Sequence, residues 1–276
     1  MQEQQGPEPG LVSFVGAGPG DPELLTIKGR DAIAEADLVL YAGSLVPREV
    51  VACARAGATV VDSAPLTLEE CHARVREVAL AGGLVARVHT GDPSLYGALR
   101  EQAALLDADG IPWRVIPGVT AACAAAAAAG VSFSIPGVSQ SLILCRVAGR
   151  TPVPERESLA ALAAHRASMA VYLSAAQAGR MAEELGRELA PETPVLCAQR
   201  VGWPEQRLVW TTLAKLADCV AQNGFDRQTI FLVLPGELAA GSARSCLYAP
   251  DFGHGWRPAK AKGRPGEDGP CAGENS

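Results

Sequence analysis

The chain is short of aromatic residues and carries no excess of positive charge. Phenylalanine, tryptophan and tyrosine make up 5% of its 276 residues, and its formal net charge is −6. An acidic chain with no basic run and no interleaved aromatics lacks the electrostatic footprint that a phosphate backbone requires, so nucleic acid is excluded as a partner. No apolar stretch reaches the roughly 20 residues of a spanning helix, and the longest candidate, 119–131, is dominated by alanine. No membrane crossing is expected. Residues 1–10 have neither a positive start nor an apolar centre, which makes them a polar leader and not a signal peptide. The eight cysteines form no Cys-x-x-Cys pair and sit in apolar segments, as buried reduced thiols do. Cys71 and His72 adjoin, but in a Glu-rich helical stretch without a second ligand pair, so no metal site is expected. Neither a Ser-His-Asp nor a Cys-His nucleophile arrangement stands out.

What the chain does have is apolar content, 48% hydrophobic against 20% charged, enough for two cores in a cytoplasmic enzyme. Strand patterns near 12–15, 38–41, 59–62, 84–89 and 113–116 alternate with helical runs, the order of a mainly parallel α/β sheet. A Ser-, Pro- and Gly-containing interruption at 131–140 precedes a second α/β series, with strands near 141–146, 169–174, 194–199, 207–212 and 229–234. The expected organisation is therefore an N-terminal α/β domain over 11–135 and a C-terminal α/β domain over 136–240, with a ligand cleft between them. Residues 241–276 turn rich in Gly, Pro and charge and are read as a disordered tail.

Two turns carry the chemistry. In 87–97, Arg-Val-His-Thr-Gly-Asp-Pro-Ser-Leu-Tyr-Gly, a short β-branched strand runs into an acidic turn bracketed by glycine and proline, at the strand end where an α/β sheet opens to ligands. In 11–29, an apolar strand meets Gly-Ala-Gly-Pro-Gly-Asp-Pro and then a helical pattern. This imitates a dinucleotide fingerprint, but Asp21 stands where the third glycine belongs, and a carboxylate there repels a pyrophosphate. Asp21 reads instead as a helix cap, with Pro22 at the first helical position. An NAD-binding dehydrogenase is the alternative from another class.

Together the two turns resemble those of the tetrapyrrole methylase family, whose first domain carries Gly-x-Gly-Pro-Gly-Asp and later Gly-Asp-Pro-x-x-Tyr-Gly. The likeness continues through Tyr41-Ala42-Gly43-Ser44-Leu45-Val46, Ile116-Pro117-Gly118-Val119-Thr120 with the alanine-rich helix behind it, and Gly149-Arg150-Thr151-Pro152-Val153-Pro154-Glu155. It spans about residues 11–238. The last segment resembles the branch that methylates precorrin-4, or its cobalt form, at ring carbon 11; another precorrin or uroporphyrinogen methylase is the nearer alternative. Nothing in the residues separates a metal-free from a cobalt-containing substrate.

The resemblance implies a homodimer that uses S-adenosylmethionine and needs no metal. It implies a donor site of Pro19, Thr90, Gly91, Asp92, Tyr96, Thr120 and Ala121 from the first domain. From the second it implies Leu173, Ser174, Gln199, Arg200, Val201, Leu234, Pro235 and Gly236, each near a strand end. The Thr120 hydroxyl could cap the next helix or bond a ligand carboxylate. The acceptor is a tetrapyrrole with many carboxylates, for which Arg146 and Arg150 are candidate partners, since guanidinium forks match carboxylates. Arg87 and His89 alternate on one face of their strand beside the turn and are further candidates. Asp92 is the candidate catalytic residue, to orient substrate or take the proton lost after methylation, unless it only caps the helix that follows.

Overall fold

The computed structural model describes residues 8–242 and 245–259. Its first sheet contains β1 (Val12–Gly16), β2 (Leu38–Tyr41), β3 (Thr59–Asp62), β4 (Val85–His89) and β5 (Trp113–Ile116), all parallel, in the order β3-β2-β4-β1-β5. Helices α1 (Ile27–Glu35), α2 (Leu68–Leu80) and α3 (Leu99–Ala108) link these strands. Alternation along the strands divides the core in two. Phe14, Leu40 and Val85 pack toward α2 and α3, while Val15, Val39 and Val88 pack toward α1. The chain leaves β1 toward β2 on one side and reaches β5 on the other. The topological switch therefore falls between β1 and β4, whose carboxyl ends are the two turns singled out in the sequence.

The second sheet contains β6 (Leu142–Arg146), β7 (Ser168–Tyr172), β8 (Pro194–Gln199), β9 (Arg207–Thr212) and β10 (Thr229–Val233), in the order β6-β7-β10-β8-β9. Only β6 and β7 are parallel; β10 runs antiparallel to both β7 and β8, and β8 to β9. One face, with Met169, Val171, Cys197 and Phe231, is covered by α5 (Leu159–Ala163), α6 (Ala178–Leu185) and α7 (Leu216–Asn223).

The other face, with Ala170, Leu196, Ala198, Ile230 and Leu232, meets Ala122, Ala124, Ala125 and Ala126. These belong to α4 (Ala121–Ala129), the helix that follows the first sheet. Methyl-sized side chains let its backbone approach the sheet, alanine favours the helix, and Gly130 in a left-handed conformation ends it. The alanine-rich segment is thus a join between the two sheets.

Where the sequence suggests no order after residue 240, residues 245–259 form a turn around Arg257. Its Nη2 donates to the carbonyls of Leu247, Ala249 and Phe252. Residues 243–244 and 260–276 of the expected tail, and residues 1–7 of the polar leader, lie outside the described residues.

Candidate active site

Three turns at the open end of the first sheet are tied together through their backbones. Gly18 and Gly91 exchange hydrogen bonds of 3.2 and 2.7 Å, and the Ala17 amide donates to the His89 carbonyl at 2.7 Å. Gly118, after β5, lies so close that a Cβ there would stand 2.2 Å from the Gly91 carbonyl oxygen, a separation no side chain tolerates. Asp92 completes the tie. One carboxylate oxygen accepts from the Ser94 amide and hydroxyl and the other from the Gly118 amide at 3.0 Å. Burial raises the pKa of Asp92, but the hydroxyl and the two amides outweigh it and hold the group below its ordinary value. Asp92 is a clamp between two turns, and a lowered pKa suits it poorly to accept a proton.

Beyond these turns, between the sheets, is a cavity of about 480 Å³. Pro19, Thr90, Gly91, Asp92, Tyr96, Thr120 and Ala121 line it from the first sheet's side, and Leu173, Ser174, Arg200 and Val201 from the second. Four of the six non-glycine residues with positive φ among the described residues are on its wall: Tyr96 (56°), Leu173 (55°), Arg200 (49°) and Gln228 (56°). Backbone held in this region is strained and gathers where a ligand is clamped. Leu173 is also 69% exposed, an apolar side chain left bare on a cavity wall.

The remaining sequence candidates are placed elsewhere. Leu234, Pro235 and Gly236 stand at the far end of the second sheet, where the Leu234 amide donates to the Pro194 carbonyl and Gly236 packs against Ile135. The expectation assumed that β10 ends beside β7 and β8; because it runs antiparallel to both, its start lines the cavity instead, through Asp226, Arg227, Gln228, Thr229 and Ile230. Gln199 is buried next to the cavity and does not line it.

Arg87 and His89 do not line the cavity either. Their side chains point to the helix-covered face of a sheet buried on both sides. Arg87 donates to Gln102 Oε1, the Leu40 carbonyl and Ser63 Oγ, and burial lowers its pKa. His89 lies beside Phe14, its Nε2 has no partner among the described residues, and burial first, then the Arg87 charge, pushes its pKa down to about 3. Arg146 is occupied in folding the segment after β6, donating to the carbonyls of Thr151 and Pro152. Arg150 is exposed on that segment and does not line the cavity.

A family model described as tetrapyrrole (corrin/porphyrin) methylases matches residues 11–217. The chain belongs to this family. It is 44% identical over 247 residues to a precorrin-4 C(11)-methyltransferase of Pseudomonas aeruginosa, covering 90% of this chain and 98% of that one. Among solved structures it resembles a cobalt precorrin-4 methyltransferase, CbiF, with a TM-score of 0.79 and 41% identity, over 81% of this chain and 94% of the other. A uroporphyrin-III C-methyl transferase from Thermus thermophilus, solved in complex with S-adenyl homocysteine, follows at a TM-score of 0.67 and 28% identity, over 81% and 97%.

In this methylase the sequence reading missed Tyr172, whose ring is 5.5 Å from that of Tyr96 on the cavity wall and whose hydroxyl meets Thr120. It also missed the Asp226–Ile230 stretch. A strand-end tyrosine next to Leu173 was the available signal for the first; the second depends on strand direction and has none. The Thr120 side chain makes no cap to its own helix, so that expected role passes to Tyr172.

Proposed function

We propose that the protein methylates precorrin-4, or cobalt-precorrin-4, at ring carbon 11 in corrin-ring assembly for cobalamin, with S-adenosylmethionine as donor. The observation that carries this reading is the cavity between the sheets, walled by the two family turns and by strained strand ends of the second sheet. Its volume suits one small-molecule ligand. The wall chemistry suits the donor: Leu173, Ala175, Val201 and Ile230 offer an apolar surface for a flat base. Ala121, first residue of α4, presents an amide without an intrahelical acceptor to a carboxylate. The relatives named above support the choice of acceptor.

When bound, the donor supplies a methyl group on a positively charged sulfur, which a carbon of the ring system displaces in line. The residues then have to hold two partners at about 3 to 3.5 Å and keep water away. Pro19, Gly91 and the α4 start form one wall and Leu173, Val201 and Ile230 the other, on backbones that the clamp of Asp92 and the strand pairings keep from moving. No nucleophilic side chain is required.

Arg150, exposed on the branch-like segment, is retained as a proposed contact for acceptor carboxylates. A cytoplasmic homodimer also belongs to this reading, supported by family likeness; among the described residues no helix is long and apolar enough to cross a membrane. The test is to incubate purified protein with each form of precorrin-4 and S-adenosylmethionine labelled in the methyl group, and to map the product. Label at carbon 11 is expected; label at another carbon, or none with either form, overturns the assignment.

A further inference from the structure

We infer that Asp226 is a donor-recognition residue of this chain, accepting hydrogen bonds from the nucleoside half of the methyl donor, an inference that rests on the reading just given. Two carboxylates stand among the residues lining the cavity, Asp92 and Asp226. Asp92 has both oxygens committed to the turns it clamps. Asp226 has one: its Oδ1 accepts from Gln199 Nε2 at 2.9 Å, and its second oxygen accepts nothing from the described residues. Arg200, a cation of the same wall, faces Glu205 at 3.9 Å and forms no ion pair with Asp226.

The position of Asp226 is built, not incidental. The register of the second sheet sets Arg207, Gln199 and Thr229 side by side across β9, β8 and β10. Arg207 is held by Phe225, 4.7 Å below its guanidinium, and by the Asn223 carbonyl at 2.8 Å. Its Nη1 donates to Gln199 Oε1 at 3.2 Å, which leaves the amide nitrogen of Gln199 facing Asp226 and the Arg227 carbonyl. The two neighbours fix the Gln199 amide in one orientation, since reversing it would set nitrogen against guanidinium and oxygen against carboxylate. A half-buried arginine and a buried glutamine, on the sheet face covered by α5 to α7, thus hold an acceptor just before β10, and that acceptor shares the cavity wall with Val201 and Ile230. A nucleoside laid on that wall brings ribose hydroxyls and an exocyclic amine, all donors, and a preset carboxylate matches them at little ordering cost. Gln199, expected in the donor site, acts here through Asp226.

The test uses the full chain and S-adenosylhomocysteine, with calorimetry of wild type, Asp226→Ala and Gln199→Leu. Asp226→Ala should weaken binding about tenfold, the loss of a charge-assisted hydrogen bond. Gln199→Leu should weaken it less, and adding it to Asp226→Ala should cost nothing more. Two analogues locate the contact, one with the purine amine replaced by oxygen and one lacking the ribose 2′-hydroxyl. The analogue missing the partner of Asp226 should bind wild type and Asp226→Ala equally. KM for the tetrapyrrole should stay unchanged. The inference falls if Asp226→Ala binds S-adenosylhomocysteine within twofold of wild type. It falls also if both analogues show the same ratio as the parent, or if the loss is in tetrapyrrole KM. Failure of wild type to bind S-adenosylhomocysteine would instead overturn the donor reading itself.

Discussion

The hydroxyl of Tyr172, at the end of β7 in the second sheet, lies 2.5 Å from the hydroxyl of Thr120, at the foot of α4. The Ala122 amide donates to the same phenol oxygen at 3.2 Å. A side chain of one sheet thereby caps the helix that opens onto the cavity between the sheets, and burial raises the pKa of Tyr172. Removing the hydroxyl should loosen the cavity wall without emptying the core.

Tyr172→Phe is accordingly expected to lower stability by about 1 kcal/mol, one net hydrogen bond, and to weaken S-adenosylhomocysteine several-fold. Chemical denaturation and calorimetry measure the two effects. In a double-mutant cycle, Thr120→Val and Tyr172→Phe should be non-additive; additive losses would mean that the contact carries no energy.

The three-turn tie gives an expected order of severity. Gly91 has φ +62° and its nearest neighbour to an added Cβ is 3.8 Å away, so Gly91→Ala meets backbone strain and little collision. A cost of about 1 to 2 kcal/mol is expected. Gly118→Ala collides with the Gly91 carbonyl at 2.2 Å and should cost more, since backbone must move. Urea midpoints of the two variants check the ranking.

His89 makes stability depend on pH. Its pKa is about 3 in the folded chain against 6.5 unperturbed. Between those values the unfolded state binds the proton and the folded state does not. Stability should therefore rise with pH across this window, by up to roughly 1.4 kcal/mol per unit, and be lost as pH falls. His89→Leu should flatten that slope when denaturation is compared at pH 7 and pH 5. An unchanged slope would assign it to other groups.

Packing of α4 is tested by size. Ala125 is fully buried against the second sheet, so Ala125→Leu should overpack and cost about 1 to 3 kcal/mol. Ala128 is exposed on the same helix, and Ala128→Leu should stay within about 0.5 kcal/mol of wild type. Equal effects would place the wrong face on the sheet.

Much of the first half was legible because its signals are local. Gly-Pro-Gly-Asp-Pro and Thr-Gly-Asp-Pro name their own turns, and Asp21 does accept from the Glu23 amide with Pro22 at the first helical position. The parallel order of β1 to β5 follows from helices placed between strands. The second half resisted because strand alternation reads the same in both directions, and nothing within Thr229–Val233 tells that β10 runs against β8. The same ambiguity hid that Leu234, Pro235 and Gly236 lie at the end of the sheet away from the cavity. The surroundings of Arg87 and His89 were hidden for a related reason: sharing a face is visible in sequence, but which layer covers that face is set by α2 and α3, far away in the chain.

The seat of α4 on the second sheet has a consequence for how the molecule comes apart. A fragment ending before β6 would carry a naked stripe of alanines, and the complementary fragment would show water the side chains of Leu196, Ile230 and Leu232. Neither half can shed the other without exposing a core surface, so the two sheets should melt in a single transition, with calorimetric and van't Hoff enthalpies in agreement.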